Sequence, residues 1–165
     1  MYMNVREYRF HNALGQQLAL PEVVSEAIQF MRSVPEYPYK IIIGSDSKIA
    51  SDLTADFVTA IVVHRVGNGG KYFWRRIDFD GKFYTLRDRI WQEVLFSIEL
   101  AKAMLTELQT SSAPAYDFEI HVDIGTQGAT KALIQEVVGV IRANHFEIKT
   151  KPESYAASKV ADRHV

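Results

Sequence analysis

Two aspartates, Asp46 and Asp123, each follow a strongly apolar run. Lys40-Ile41-Ile42-Ile43-Gly44-Ser45 leads into the first and Phe118-Glu119-Ile120-His121-Val122 into the second. β-Branched runs without polar alternation read as strands buried on both faces. If two such strands are parallel neighbours, acids at their C-terminal ends emerge at one edge of the sheet, in the crevice where open α/β sheets bind ligands. Unpaired carboxylates brought together repel and raise each other's pKa. A divalent cation removes that penalty, and Mg²⁺ is usually held by one or two carboxylates together with substrate phosphate. An Asp after a strand is often only a cap or turn former. The pair in this strand order argues for more.

The elements that must position these acids follow from periodicity and turn signals. Pro21 suits a first helical position, and Val23, Val24, Ala27, Ile28 and Met31 form an apolar stripe ended by Pro35 and Pro38. The Lys40–Ser47 stretch reads as a first strand and 57–66 as a second. Gly67-Asn68-Gly69-Gly70 is a hairpin signal, with a returning strand over 71–79. A long amphipathic helix is expected over about 85–108, with Ile90, Trp91, Val94, Leu95, Ile98, Ala101, Leu105 and Leu108 as its apolar stripe. A fourth strand over 118–123, a helix over about 130–144, a short strand over 146–150 and a last helix from Ser154 complete the chain. Helical crossovers imply parallel strands. The expected architecture is therefore an α/β domain in three layers, a five-stranded mixed sheet of order 3-2-1-4-5 with helices on both faces. Residues 1–39 read as an N-terminal extension with one helix, and 40–165 as a single globular domain.

Further acids and cations are within reach of the same edge. The long helix starts there, and each residue adds about 1.5 Å of rise, so Glu99 and Glu107 are carried away while Asp88 and Glu93 stay near. The helix dipole already gives Asp88 a structural reason for its place, which favours Glu93. Asp162 follows Tyr155, Ala156, Ala157 and Ala161, whose small side chains permit close approach to the sheet. Ser47, Lys149, Lys151 and Lys159 are candidate substrate contacts near this end. Arg65, Lys71, Arg75 and Arg76 on the hairpin could extend a phosphate footprint, and Tyr72, Phe73 and Trp74 could stack on bases. For each the default is a solvated charge or core packing; for His121 it is a satisfied buried histidine.

The bulk numbers bound the function. The chain has 165 residues, 47% of them hydrophobic and 24% charged, with a formal net charge of −1 from 19 Lys and Arg against 20 Asp and Glu. This is an ordinary globular balance, without the basic excess of a strong non-specific nucleic-acid binder. With no cysteine, disulfides, zinc-thiolate sites and Cys nucleophiles are excluded. Met1–Asn12 has no secretory apolar core, and no segment reaches the roughly 18 apolar residues of a membrane span. A cytoplasmic protein is expected. Oligomeric state is not written in the sequence.

The acids come in the order strand-Asp, helix-Glu, strand-Asp, helix-Asp, which resembles the ribonuclease H-like superfamily. More closely, Ile43-Gly44-Ser45-Asp46-Ser47, His121-Val122-Asp123-Ile124-Gly125 and Lys151-Pro152-Glu153-Ser154-Tyr155-Ala156-Ala157-Ser158-Lys159-Val160-Ala161-Asp162-Arg163 are similar to the YkuK-like family of bacterial proteins. The resemblance implies the ribonuclease H-like fold. It matches Asp46 to the first-strand aspartate, Glu93 to the helical glutamate, Asp123 to the fourth-strand aspartate and Asp162 to the last-helix acid. It also implies two Mg²⁺ or Mn²⁺ ions on these four residues and hydrolysis of nucleic-acid phosphodiesters, with RNA, DNA or a hybrid as partner. The main rival is a non-catalytic nucleic-acid-binding or scaffold module on the same fold, which suits the near-neutral charge. Actin-like ATPases, with similar Gly-x-Asp turns, need two such domains around the nucleotide, and this chain holds one.

Overall fold

A computed structural model describes residues 7–165. The expectation for Met1–Arg6 lies outside the described residues. The chain runs β1 (Arg9–Asn12), β2 (Gln17–Ala19), α1 (Leu20–Ser33), β3 (Tyr39–Ile49), β4 (Ala55–Arg65), β5 (Gly70–Ile77) and α2 (Leu86–Thr110). It continues with β6 (Asp117–His121), a 3₁₀ turn (Lys131–Leu133), α3 (Ile134–Ala143) and β7 (Glu147–Lys149). It closes with a π-helical segment (Ala156–Ala161) that passes into α4 (Asp162–His164). Among the described residues, no helix is long and apolar enough to cross a membrane.

The sheet has seven strands in the order β2-β1-β5-β4-β3-β6-β7. The five-stranded sheet of order 3-2-1-4-5 is corrected accordingly: β1 and β2 extend it beyond β5. These strands are four and three residues long, too short for alternation to register in a sequence. Their turn is tied by Asn12, whose Oδ1 accepts from the N–H groups of Leu14 and Gln16 at 3.0 Å each, while Gly15 takes φ 79°. The pairs β3–β6 and β6–β7 are parallel; β3–β4, β4–β5, β1–β5 and β1–β2 are antiparallel.

β3 is paired on both sides and buried on both faces. Ile41 and Ile43 belong to the main core with α1, α2 and α3, whereas Ile42 packs with Ala156 on the opposite face. Side chains alternate along a strand, and the alternation persists toward the site. Ser45 meets Ser97 of α2 at 2.7 Å, and Gly44 lies under the closing π segment. The helix expected over 85–108 is α2, capped by Thr85, whose hydroxyl accepts from the Asp88 N–H at 3.1 Å. Its buried face differs from the expected stripe: Leu95 is 52% exposed, while Glu93 and Ser97 are buried. These polar residues turn inward because β3 presents hydroxyls to them at Ser45 and Ser47.

The closing segment replaces the regular last helix expected from Ser154. Its Ala156, Ala157 and Ala161 are fully buried. Gly44 permits this, because a Cβ there would stand 2.5 Å from the Ala157 nitrogen and 2.6 Å from the Ala156 carbonyl carbon. Backbone cannot yield as a flexible side chain does. Gly44→Ala is therefore expected to cost about 1–3 kcal/mol of stability, as overpacking does. Urea unfolding measures this, and an unchanged midpoint would contradict the close packing.

Candidate active site

The parallel pairing of β3 with β6 ends at Gly44 opposite His121. Two residues further along each segment stand Asp46, on the same face of β3 as Gly44, and Asp123. Contrary to expectation, Asp46 does not end its strand: β3 continues to Ile49 against Ala55 of β4. Asp123, in contrast, has left β6. Its loop is anchored by Val122 N–H to the Lys149 carbonyl at 3.0 Å and by Lys151 N–H to the Ile124 carbonyl at 2.8 Å. Asp162 enters from the closing helix, and its side chain hydrogen-bonds that of Asp46.

The electrostatics follow from this convergence. Burial pushes the Asp46 carboxyl from its ordinary 3.8 up to about 7, helped by the hydrogen bond with Asp162 and the repulsion of Asp162 and Asp123. The Ser47 N–H, donating to Asp46 Oδ1 at 2.9 Å, works the other way. Burial raises Glu93 from 4.5 to about 8, with repulsion from Asp46 and Asp123 adding to it. The Ser47 hydroxyl donates to Glu93 and also lies 3.1 Å from Arg89 Nη1, which donates to the Ser47 carbonyl at 2.9 Å. Asp123 Oδ1 is buried without a hydrogen-bond partner. The Lys151 ammonium, 3.4 Å away, pairs with it as a charge, beyond good hydrogen-bond length.

The structure thus brings Asp46, Asp123 and Asp162 into mutual influence and adds Glu93 from the α2 side. Asp88 stays exposed in the first turn of α2. Ser47 is buried, its hydroxyl committed to Glu93 and Arg89. Lys149 on β7 and Lys159 in the π segment are exposed. The hairpin cations are engaged within the fold. Arg65 stacks 4.1 Å from the Phe30 ring centroid, Lys71 pairs with Glu26 at 3.0 Å, Arg75 lies 3.5 Å over Tyr8, and Arg76 donates to the His164 carbonyl at 2.9 Å. Phe73 is fully buried, and Trp74 is stacked between His11 and His164, at 4.6 and 4.3 Å. Sequence reasoning missed Arg89. Its signal was its place one helical turn before Glu93, where i and i+4 side chains are neighbours.

Among the described residues, no group of three or more His, Asp or Glu could by itself hold a metal ion. The acids present fit an ion shared with substrate phosphate, the usual habit of Mg²⁺, which one or two carboxylates suffice to hold. The repulsion on Asp46 from Asp162 and Asp123, and the Asp123 oxygen without a hydrogen-bond donor, are what a cation would relieve.

These raised values set a pH dependence. Asp46 and Glu93 hold protons in the fold that the unfolded chain has released above about pH 4. Their contribution to stability is present at low pH and is lost as pH rises through about 7 to 8. In chelator, the thermal midpoint of the wild type should fall across that window more steeply than that of Asp46→Asn or Glu93→Gln. Parallel curves for all three proteins would refute the assignment.

Residues 22–165 match the family described as Ribonuclease H-like. A relative from Bacillus subtilis (strain 168), the "Uncharacterized protein YkuK", is 34% identical over 166 residues, covering 94% of this chain and 96% of the relative. No solved structure matches at a significant level. With its mixed α/β sheet and this match over most of its length, the chain belongs to the ribonuclease H-like family.

Proposed function

We propose that this protein is a divalent-metal-dependent nuclease that hydrolyses nucleic-acid phosphodiesters. The observation that supports this most is the half-buried Asp46 carboxyl set against Asp162 and Asp123, with an Asp123 oxygen that accepts no hydrogen bond and has the Lys151 ammonium 3.4 Å away. Such groups are costly to bury unpaired, and cation binding offsets the cost. Family membership supports the same chemistry.

In this reading Asp46, Glu93, Asp123 and Asp162 would together hold the ions. Mg²⁺ or Mn²⁺ would supply the Lewis acidity that activates water and stabilises the leaving oxygen. The chain's own residues do the rest. Arg89 and Ser47 hold Glu93 in place, and the Ser47 N–H orients the Asp46 carboxylate. Lys151, beside Asp123, would contact phosphate, with exposed Lys149 and Lys159 as further contacts. Nucleic acid is thus the proposed partner.

A second reading, a binding or scaffold module without chemistry, draws on the net charge of −1 and on the missing self-sufficient metal group among the described residues. Calorimetric titration with Mn²⁺ separates the two. The nuclease reading expects binding at millimolar levels or tighter, weakened at least about 100-fold in Asp46→Asn, since even outer residues of metal sites are worth 10–100-fold. Cleavage of a panel of RNA, DNA and hybrid should fall with it. No binding by the wild type at those levels would leave the module reading.

A further inference from the structure

We propose that His121 is a positioning residue for the acidic site, anchoring the start of the closing helix and through it setting Asp162 against Asp46. The inference rests on the metal-site reading above and adds to it the group that assembles the site.

His121 is 1% exposed. Its Nδ1 accepts the Ala156 N–H at 3.2 Å, and its Nε2 lies 3.0 Å from Glu119 Oε2. An acceptor at Nδ1 leaves the ring proton at Nε2, where it is donated to the carboxylate. Lys40 Nζ holds the other oxygen of Glu119 at 2.9 Å. The tautomer is thereby set by Lys40 and Glu119 behind the ring. Tyr155, the residue before Ala156, closes the pocket with its ring edge-on to the imidazole, centroids 4.6 Å apart, and its hydroxyl 2.9 Å from His64 Nδ1.

Strand register makes this anchor bear on the site. His121 and Gly44 are paired residues of β6 and β3. One offers no side chain and the other offers an acceptor, so together they form a notch for the Ala156–Ala157 peptide. Two residues further along stand Asp46, still on β3 and on the face of Gly44, and Asp123, in the loop after β6, which adds its repulsion at Asp46. The closing chain therefore starts over Gly44 and His121, and delivers Asp162 beside Asp46. Between these points the helix is π-wound, and the Asp162 N–H bonds the Ala157 carbonyl five residues back. Asp162 has no strand of its own, so its position depends on where Ala156 is pinned. The N–H left without a partner by removing the imidazole would also be buried, which is unfavourable and favours a shift of the segment.

The test compares Mn²⁺ affinity, by calorimetry, in the wild type, His121→Leu and His121→Asn, with far-UV dichroism and thermal midpoint as controls of folding. The leucine fills the pocket without an acceptor, whereas the asparagine amide reaches the Nδ1 position. We expect affinity to fall about 10–100-fold in His121→Leu, the scale of groups that orient metal ligands, and to be restored largely in His121→Asn. Amide exchange over 156–162 should quicken in the leucine variant alone. Should that variant not fold, the same contrast is read between Asn and His121→Gln, whose amide reaches the Nε2 position and leaves the Ala156 N–H unmet. Wild-type affinity in the acceptor-less variant, or equal losses in both, would overturn the proposal. No Mn²⁺ binding by the wild type would instead remove the metal-site reading, and this inference with it.

Discussion

The parallel register of β3 with β6 is the constraint on which the rest depends. With Gly44 opposite His121, the two strands present a notch on one face and two aspartates further along it. A slip of one residue would turn every side chain of the slipped strand over. Asp46 would then face the apolar layer of α1 and α2, and Ile43 would meet the backbone of the closing segment. The register is held by strong means. Ile41, Ile42 and Ile43 are all fully buried, each contributing on the order of 1.5–3 kcal/mol, and β3 is bonded along its length to β4.

That rigidity lets the protein hold carboxyl groups together against their repulsion. Asp46, Glu93 and Asp123 are met only in part by neighbouring cations and donors: Arg89 reaches Glu93 through Ser47, and Lys151 stands off Asp123. The contrast with Lys40, Glu119 and His121 is informative. Glu119 and His121 are buried, yet every partner is met at 2.9 to 3.2 Å. A satisfied network rigidifies, while one left partly open marks where the fold keeps room for another charge.

The cations of the β4–β5 hairpin illustrate how contacts redistribute apparent function. In sequence they resemble a phosphate footprint. In the fold, Arg65 lies on Phe30, Lys71 pairs with Glu26, and Arg76 caps the chain end at His164. Trp74 is sandwiched between two histidines. These residues fasten the N-terminal and C-terminal segments to the sheet. Lys151 stands instead beside Asp123, and Lys149 and Lys159 are exposed.

Much of the local structure was legible because it depends on spacing along the chain. The stripe of Val23, Val24, Ala27, Ile28 and Met31 is buried as helical period requires, and the glycines of 67–70 sit in the turn they mark, with φ near 80° at Gly67 and Gly69. Short β1 and β2 carried too little pattern, and the inward turn of Glu93 and Ser97 instead of Leu95 depended on hydroxyls of a distant strand. By itself, the sequence determined that two acids follow doubly buried strands and that small residues precede a third. Only the tertiary structure decided that Asp162 comes against Asp46, that Ser47 is committed to Glu93, and that the Ala156 N–H of the closing segment meets His121. Periodicity is a property of near neighbours, whereas desolvation, repulsion and register arise between residues that meet only when the chain has folded.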